Sequence, residues 1–159
     1  MSDFINKIVS IILIFIMLVL APLLISYMTN NMKAQRLVLN DVTSFIDKVT
    51  DKGSISQSDL DQLYLDVNSH GLILDVDVKR LIKTATKLPD GTIKTVYFAA
   101  QGENSSNPNF DGTIHYMNTG DVVQVTVREI GISTVRQLTY RLLKVDTGRF
   151  EFTLSGAVR

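Results

Sequence analysis

The chain has 159 residues, 16 basic and 16 acidic side chains, and neither cysteine nor tryptophan. Zero net charge leaves no electrostatic footprint for nucleic acid, and the lack of cysteine excludes disulfides, zinc-thiolate sites and a thiol nucleophile. Outside one long apolar segment, about 125 residues remain, enough for one domain with its own core and too few for two.

That segment runs from Ile8 to Tyr27, IVSIILIFIMLVLAPLLISY, and no charge interrupts the sequence between Lys7 and Lys33. About 20 residues at 1.5 Å each cross the roughly 30 Å hydrocarbon core of a bilayer. Fourteen of them are Ile, Leu, Val or Phe. At about −0.3 to −0.6 kcal/mol each they supply roughly −4 to −8 kcal/mol of insertion energy, more than Ser10, Pro22 and Ser26 give back. The run is apolar on all faces, unlike the single stripe of a soluble helix. It also exceeds the about 7 to 15 apolar residues of a cleaved signal, and no A-x-A pair follows Ala21-Pro22. The expectation is a retained single-pass anchor in contact with membrane lipid. Residues 1–32 form the tail and transmembrane helix, and residues 33–159 form the head. Ile12, Phe15, Val19 and Leu23 share a helical face suited to partner helices in the membrane. Pro22 lacks a backbone donor and clashes with the carbonyl of Leu18, which predicts a kink. Lys33 and Arg36 after the anchor, against Lys7 and Asp3 before it, tilt the positive-inside count toward a cytoplasmic head.

The helical period continues past the anchor. Val38, Val42, Phe45, Ile46 and Val49 mark one buried face over 33–52, and Gly53 suits a left-handed helix end. One helix from about Phe4 to Lys52 would be roughly 70 Å long. Ser56 and Asp59 have capping-box spacing, and Leu60, Leu63, Tyr64 and Val67 then give a short amphipathic helix closed by Gly71. From Leu72 the period becomes two, with Leu72, Leu74, Val76 and Val78 on one face and Asp75, Asp77 and Lys79 on the other. This strand reaches about Lys87. Pro89-Asp90-Gly91 turns the chain into a returning strand, Ile93 to Ala99. A polar loop, QGENSSNPNFDG, follows. Gly120-Asp121 opens the strand VVQVTVREI, Ser133 to Leu143 suits a short helix, and Phe150 to Val158 reads as the last strand. Residues 72–158 are therefore mainly β, and the fold class is α+β, a long N-terminal helix with a small antiparallel sheet.

No catalytic, cofactor-binding or metal-binding set emerges. His70 and His115 have no metal-ligand spacing, and there is no G-x-S-x-G elbow or glycine-rich phosphate loop. The expectation is no enzyme, no cofactor and no small-molecule substrate. His70, at a helix end, is expected to satisfy the last helical carbonyls. Asp75 and Asp77 read as a solvated strand face rather than a cation site. Asn104-Ser105-Ser106 matches a glycosylation sequon, a short pattern that chance often produces. Lys79, Arg80, Lys83, Lys87 and Lys94 surround one hairpin and read as lysine protection of an exposed edge.

Four stretches carry a likeness to a known family: LVLAPLLISY, VTDKGSISQSDLDQLYLDVNSHGLILDVDV, TGDVVQVTVRE and the terminal LSGAVR. With a short tail, an apolar helix bearing a late proline, an amphipathic extension and a sheet-bearing head, the chain resembles the TadE-like minor pilins, or pseudopilins, of tight-adherence pilus systems in Gram-positive bacteria. The resemblance implies a pilin-like fold in the cell membrane, N-terminus cytoplasmic and head extracellular. It also implies a structural role in a surface pilus or secretion apparatus, with other pilin-like subunits and polytopic assembly proteins as partners. Pilin precursors usually carry a glycine before the processing site and a glutamate early in the mature helix. This chain has neither. The other function class open to it is a membrane-tethered ligand-binding or sensor module, reading its ligand through the 101–121 loop.

Overall fold

The computed structural model describes residues 2–99, 114–131, 140–141 and 149–159. Of the helix expected over Ser133–Leu143 only Tyr140 and Arg141 fall among these, and both are helical. The Asn104 sequon lies outside the described residues. The chain divides into two compact units, residues 1–36 and residues 37–159; composition had placed this boundary at 32/33. The architecture is α+β, a long N-terminal helix followed by a small antiparallel sheet.

The first unit is helical throughout. Helix α1 (Ser2–Phe15) leads into a π-helical turn (Ile16–Leu20) and then into α2 (Ala21–Lys52), which continues into the second unit. The run from Asp3 to Lys52 is long and apolar enough to cross a membrane. The π turn has a local cause. Pro22 cannot donate to Leu18 and its ring presses on that carbonyl in a regular α-helix. Here the backbone N–H of Ala21 bonds instead to the carbonyl of Ile16, five residues back, which widens the turn ahead of the proline. Where the sequence predicts a kink, the structure shows a π turn.

In the second unit, α2 ends at Gly53, whose N–H bonds to Val49 at 2.9 Å with φ +64°, the left-handed stop that glycine permits. Strand β1 (Ser54–Ile55) and helix α3 (Gln57–Asn68) follow. The capping box is complete: Ser56 Oγ accepts from Asp59 N–H, and the Asp59 carboxylate accepts from Ser56 N–H. Strands β2 (Leu74–Lys87), β3 (Ile93–Ala99), β4 (His115–Tyr116), β5 (Val122–Glu129) and β6 (Glu151–Ala157) follow among the described residues. The main sheet is antiparallel in the order β3-β2-β5-β6, and β1 pairs with β4 in a separate two-stranded ladder. Leu72, expected to begin β2, lies before it and packs half-buried against the core.

Alternation along the strands decides which face is covered. Val76 pairs with Val127, and Val78 with Val125, so one face is lined by valines. Val123, Val125 and Val127 are fully buried under Val38, Val42, Phe45, Ile46 and Val49 of α2 and Leu60, Leu63 and Val67 of α3. The other face is polar, with Thr126 and Thr153 hydroxyls 3.0 Å apart and Arg128 Nε 3.3 Å from Glu151 Oε1. The end of β6 is fastened by Val158 N–H to Asp121 O at 2.8 Å and Gly120 N–H to Val158 O at 2.9 Å.

Candidate functional site

Three exposed features stand out among the described residues. On the first unit, Ile12, Phe15, Val19 and Leu23 are all exposed, between 41 and 61%, as is Pro22. The π turn changes how they line up. A turn closed five residues back absorbs one extra residue, so everything after it is rotated by about 100° relative to a straight α-helix. Phe15 and Leu23 consequently lie close to one line, and Ile12 moves toward its edge. Sequence periodicity assumes a constant 3.6 residues per turn and cannot register this.

On the second unit, α2 and α3 enclose a groove around Asp59. Its side chain is 6% exposed and is held by Lys48 Nζ and Lys52 Nζ, each at 2.9 Å, and by Ser56 Oγ at 2.6 Å. Burial by itself raises this carboxyl, but the hydrogen bonds from Ser56, Lys52 and Lys48 outweigh it and leave it well below the ordinary carboxylate range. A cavity of about 140 Å³ opens beside it, lined by Asp41, Ser44, Phe45, Lys48, Gln62, Leu63 and Asp66 as well as Asp59 itself. His70 contacts one of the lining residues, Asp41. Its Nε2 lies 2.6 Å from Asp41 Oδ2, so this side chain joins α3 to α2 rather than satisfying the helix carbonyls expected of it. The helix end is instead closed locally: Ser69 N–H reaches Leu65 O and Asp66 O, and Ser69 Oγ also donates to Asp66 O.

Three further polar side chains depart from the sequence reading. Asp77 is 9% exposed on the strand face expected to be solvated; one oxygen lies 3.2 Å from Lys79 Nζ, and the other has no hydrogen-bond partner among the described residues. Arg80 belongs to the basic group only in sequence. It is in phase with Leu74, Val76 and Val78 and turns inward, with its guanidinium 3.8 Å from the buried Asp121. Asp121 also accepts from Lys83 N–H and Asn118 N–H, both at 3.0 Å. Tyr64 donates its hydroxyl to Val76 O at 3.1 Å, occupying a carbonyl on β2. Burial raises this phenol, reinforced by the carboxylates of Asp75, Asp77 and Asp61.

The β2–β3 hairpin presents a further exposed surface of this unit. Leu88 N–H bonds to Thr92 O at 2.8 Å, and Gly91 takes φ +85°. The Asp90 carboxylate accepts from Thr92 N–H and Oγ1, bonds that hold it below its usual range. From Lys83 onward β2 is exposed, and so is β3 except for Val96, which is intermediate. Ile93, Tyr97 and Phe98 are 74, 47 and 54% exposed. Lys83 stands opposite Tyr97, and Lys87 opposite Ile93. The sequence marked the lysines but not the apolar residues facing them, because the cross-strand register was needed to pair them.

Among the described residues no group of three or more His, Asp or Glu side chains is placed to hold a metal ion. The described residues present exposed apolar area in the first unit, and charged side chains beside apolar ones in the second. The sequence matches no protein-family model, and no curated protein or solved structure matches it either.

Proposed function

We propose that the protein is a membrane-anchored, pilin-like structural subunit of a bacterial surface pilus or secretion apparatus. One observation carries this reading. The helical run that is apolar from Ile8 to Tyr27 goes on to supply Val38, Val42, Phe45, Ile46 and Val49 to the core of an antiparallel α+β head. A simple tether needs no such continuity, whereas a subunit that assembles through its helix has a use for one helical segment that runs from the apolar stretch into the head core. In this reading the face containing Phe15, Val19 and Leu23 packs against helices of other subunits, and polytopic membrane proteins guide assembly. The N-terminus is cytoplasmic and the head is outside the cell.

The chain contains no cysteine, which makes the test direct. Single cysteines replacing Ser2 and Ser105 are probed on intact cells with a membrane-impermeant thiol reagent. Labelling of Ser105→Cys and not of Ser2→Cys is expected; the reverse pattern removes the pilus reading, since a cytoplasmic head cannot join an extracellular assembly. Phe15→Cys should form disulfide-linked dimers in the membrane, and a chain that gives none is not packing through that face.

A further inference from the structure

Charge in the head is segregated into two patches of opposite sign. Between residues 41 and 66 there are six aspartates (41, 47, 51, 59, 61 and 66) against Lys48 and Lys52. Between residues 79 and 94 four lysines face Asp90 alone, Arg80 being turned inward to Asp121. The two segments carry −4 and +3, so the neutrality of the chain conceals local charge of opposite sign in the head.

Each patch combines charge with apolar surface. On the hairpin, Lys83 and Lys87 share a face with Tyr97 and Ile93, and neither these lysines nor Lys94 forms an ion pair among the described residues. In the α2–α3 groove, Asp41 and Asp66 line the same cavity as Phe45 and Leu63, and its volume is about 140 Å³. That shape suits one long cationic side chain: methylenes lie on the apolar floor and the ammonium sits between carboxylates.

We infer that the β2–β3 hairpin of one copy docks on the α2–α3 face of a second copy, with Lys87 directed toward the groove between Asp41 and Asp66. The two patches are distinct surfaces, so the contact is head-to-tail and repeats from copy to copy instead of closing a symmetric dimer. This deepens the reading of the chain as an assembly subunit and rests on it, adding a contact between the C-terminal domains to the packing of helices.

The test uses the full chain in detergent. Leu88→Cys at the hairpin tip in one copy is mixed with Gln62→Cys in the groove of another, and disulfide-linked heterodimer is measured on a non-reducing gel. On this background Lys87→Glu alone, or Asp66→Lys alone, should lower the yield about three- to tenfold, and a chain carrying both reversals should recover it. Recovery by the double variant also shows that the single variants fold. Raising salt should weaken the linkage. Unchanged yield in both single variants overturns the inference, as does a double variant that fails to recover. Cross-linking that follows the anionic lipid content of nanodiscs, and ignores Asp66→Lys, overturns it in favour of a membrane surface as the occupant. If the head linkage is absent while Phe15→Cys still forms dimers, this inference fails and the proposed function stands; if both are absent, both fail.

Discussion

Gly156 marks the closest approach of β6 to α2, and it yields a quantitative prediction. Its φ lies outside the left-handed region, so alanine fits the backbone. Space is the constraint: a Cβ at this position overlaps Ile46 Cγ2 and comes within 3.2 Å of Thr50 Cγ2. Neither neighbour can withdraw easily. Both are buried, and Thr50 Oγ1 is tied to Ile46 O at 2.8 Å. Overpacking of this kind costs about 1–3 kcal/mol, and the smaller backbone entropy of alanine returns about 0.5–1 kcal/mol. Gly156→Ala should therefore destabilise the head by about 1 kcal/mol, and by no more than about 2.5 kcal/mol. At an m-value of about 2 kcal/mol/M, a loss of about 1 kcal/mol lowers the urea midpoint by roughly 0.5 M. Near-UV circular dichroism of the tyrosines in the detergent-solubilised full chain reports the transition. Ile46→Leu moves the offending methyl off Cβ at constant volume, so combined with Gly156→Ala it should cost at least about 0.5 kcal/mol less than the sum of the single changes. A Gly156→Ala protein as stable as the parent, or strict additivity in the pair, would refute the packing argument.

Asp59→Asn removes a buried carboxylate on which two lysines and a helix cap converge, and should cost about 1–3 kcal/mol at neutral pH. Because the folded carboxyl is lowered, its contribution is complete above the ordinary carboxylate range, near pH 4, and is lost as pH falls through the lower folded value. The stability gap between parent and Asp59→Asn should therefore narrow below about pH 4 in urea titrations, and a gap constant to strong acid would contradict the assignment. Tyr64→Phe leaves Val76 O without its side-chain donor and should lower stability by about 0.5–1.5 kcal/mol, together with faster amide exchange near β2. Pro22→Ala removes the cause of the π turn; disulfide scanning through residues 12–23 should then show plain α-helical periodicity, while membrane insertion is unchanged. An unaltered scanning pattern would show that the π turn does not depend on the proline.

Local signals in the sequence specify their structure, whereas long-range contacts leave no local signal. Ser56 with Asp59, Gly53, and the alternation of Val123, Val125 and Val127 each encode their structure within a few residues, so spacing alone places them. The His70–Asp41 contact spans 29 residues, and β1 pairs only two residues with β4, so no local pattern announces either. Arg80 is instructive because its signal was present. It sits in phase with Leu74, Val76 and Val78, and periodicity puts it inward, but its charge argued for solvent; Asp121, 41 residues later, makes the inward position tenable. The phase of the exposed apolar residues around Ile16–Leu20 was not legible, since the π turn is a backbone event that hydropathy does not record.

Strand β2 is longer than either of its neighbours needs. Among the described residues, Leu74–Leu81 pairs with β5 and Leu81–Lys87 with β3, so Leu81 alone is flanked on both sides, by Val122 and Ala99. The described ladders therefore form two blocks that meet at Leu81. The β2–β5–β6 block shares the buried core, whereas the hairpin beyond Leu81 is held mainly by its own ladder and turn, the condition under which a two-stranded ribbon is marginal. In native-state hydrogen exchange its amides should open by fraying, without global unfolding. In evolutionary terms, such a hairpin can change length and side chains while the core stays intact. Homologous chains could thus diverge in what the ribbon contacts and keep the same head.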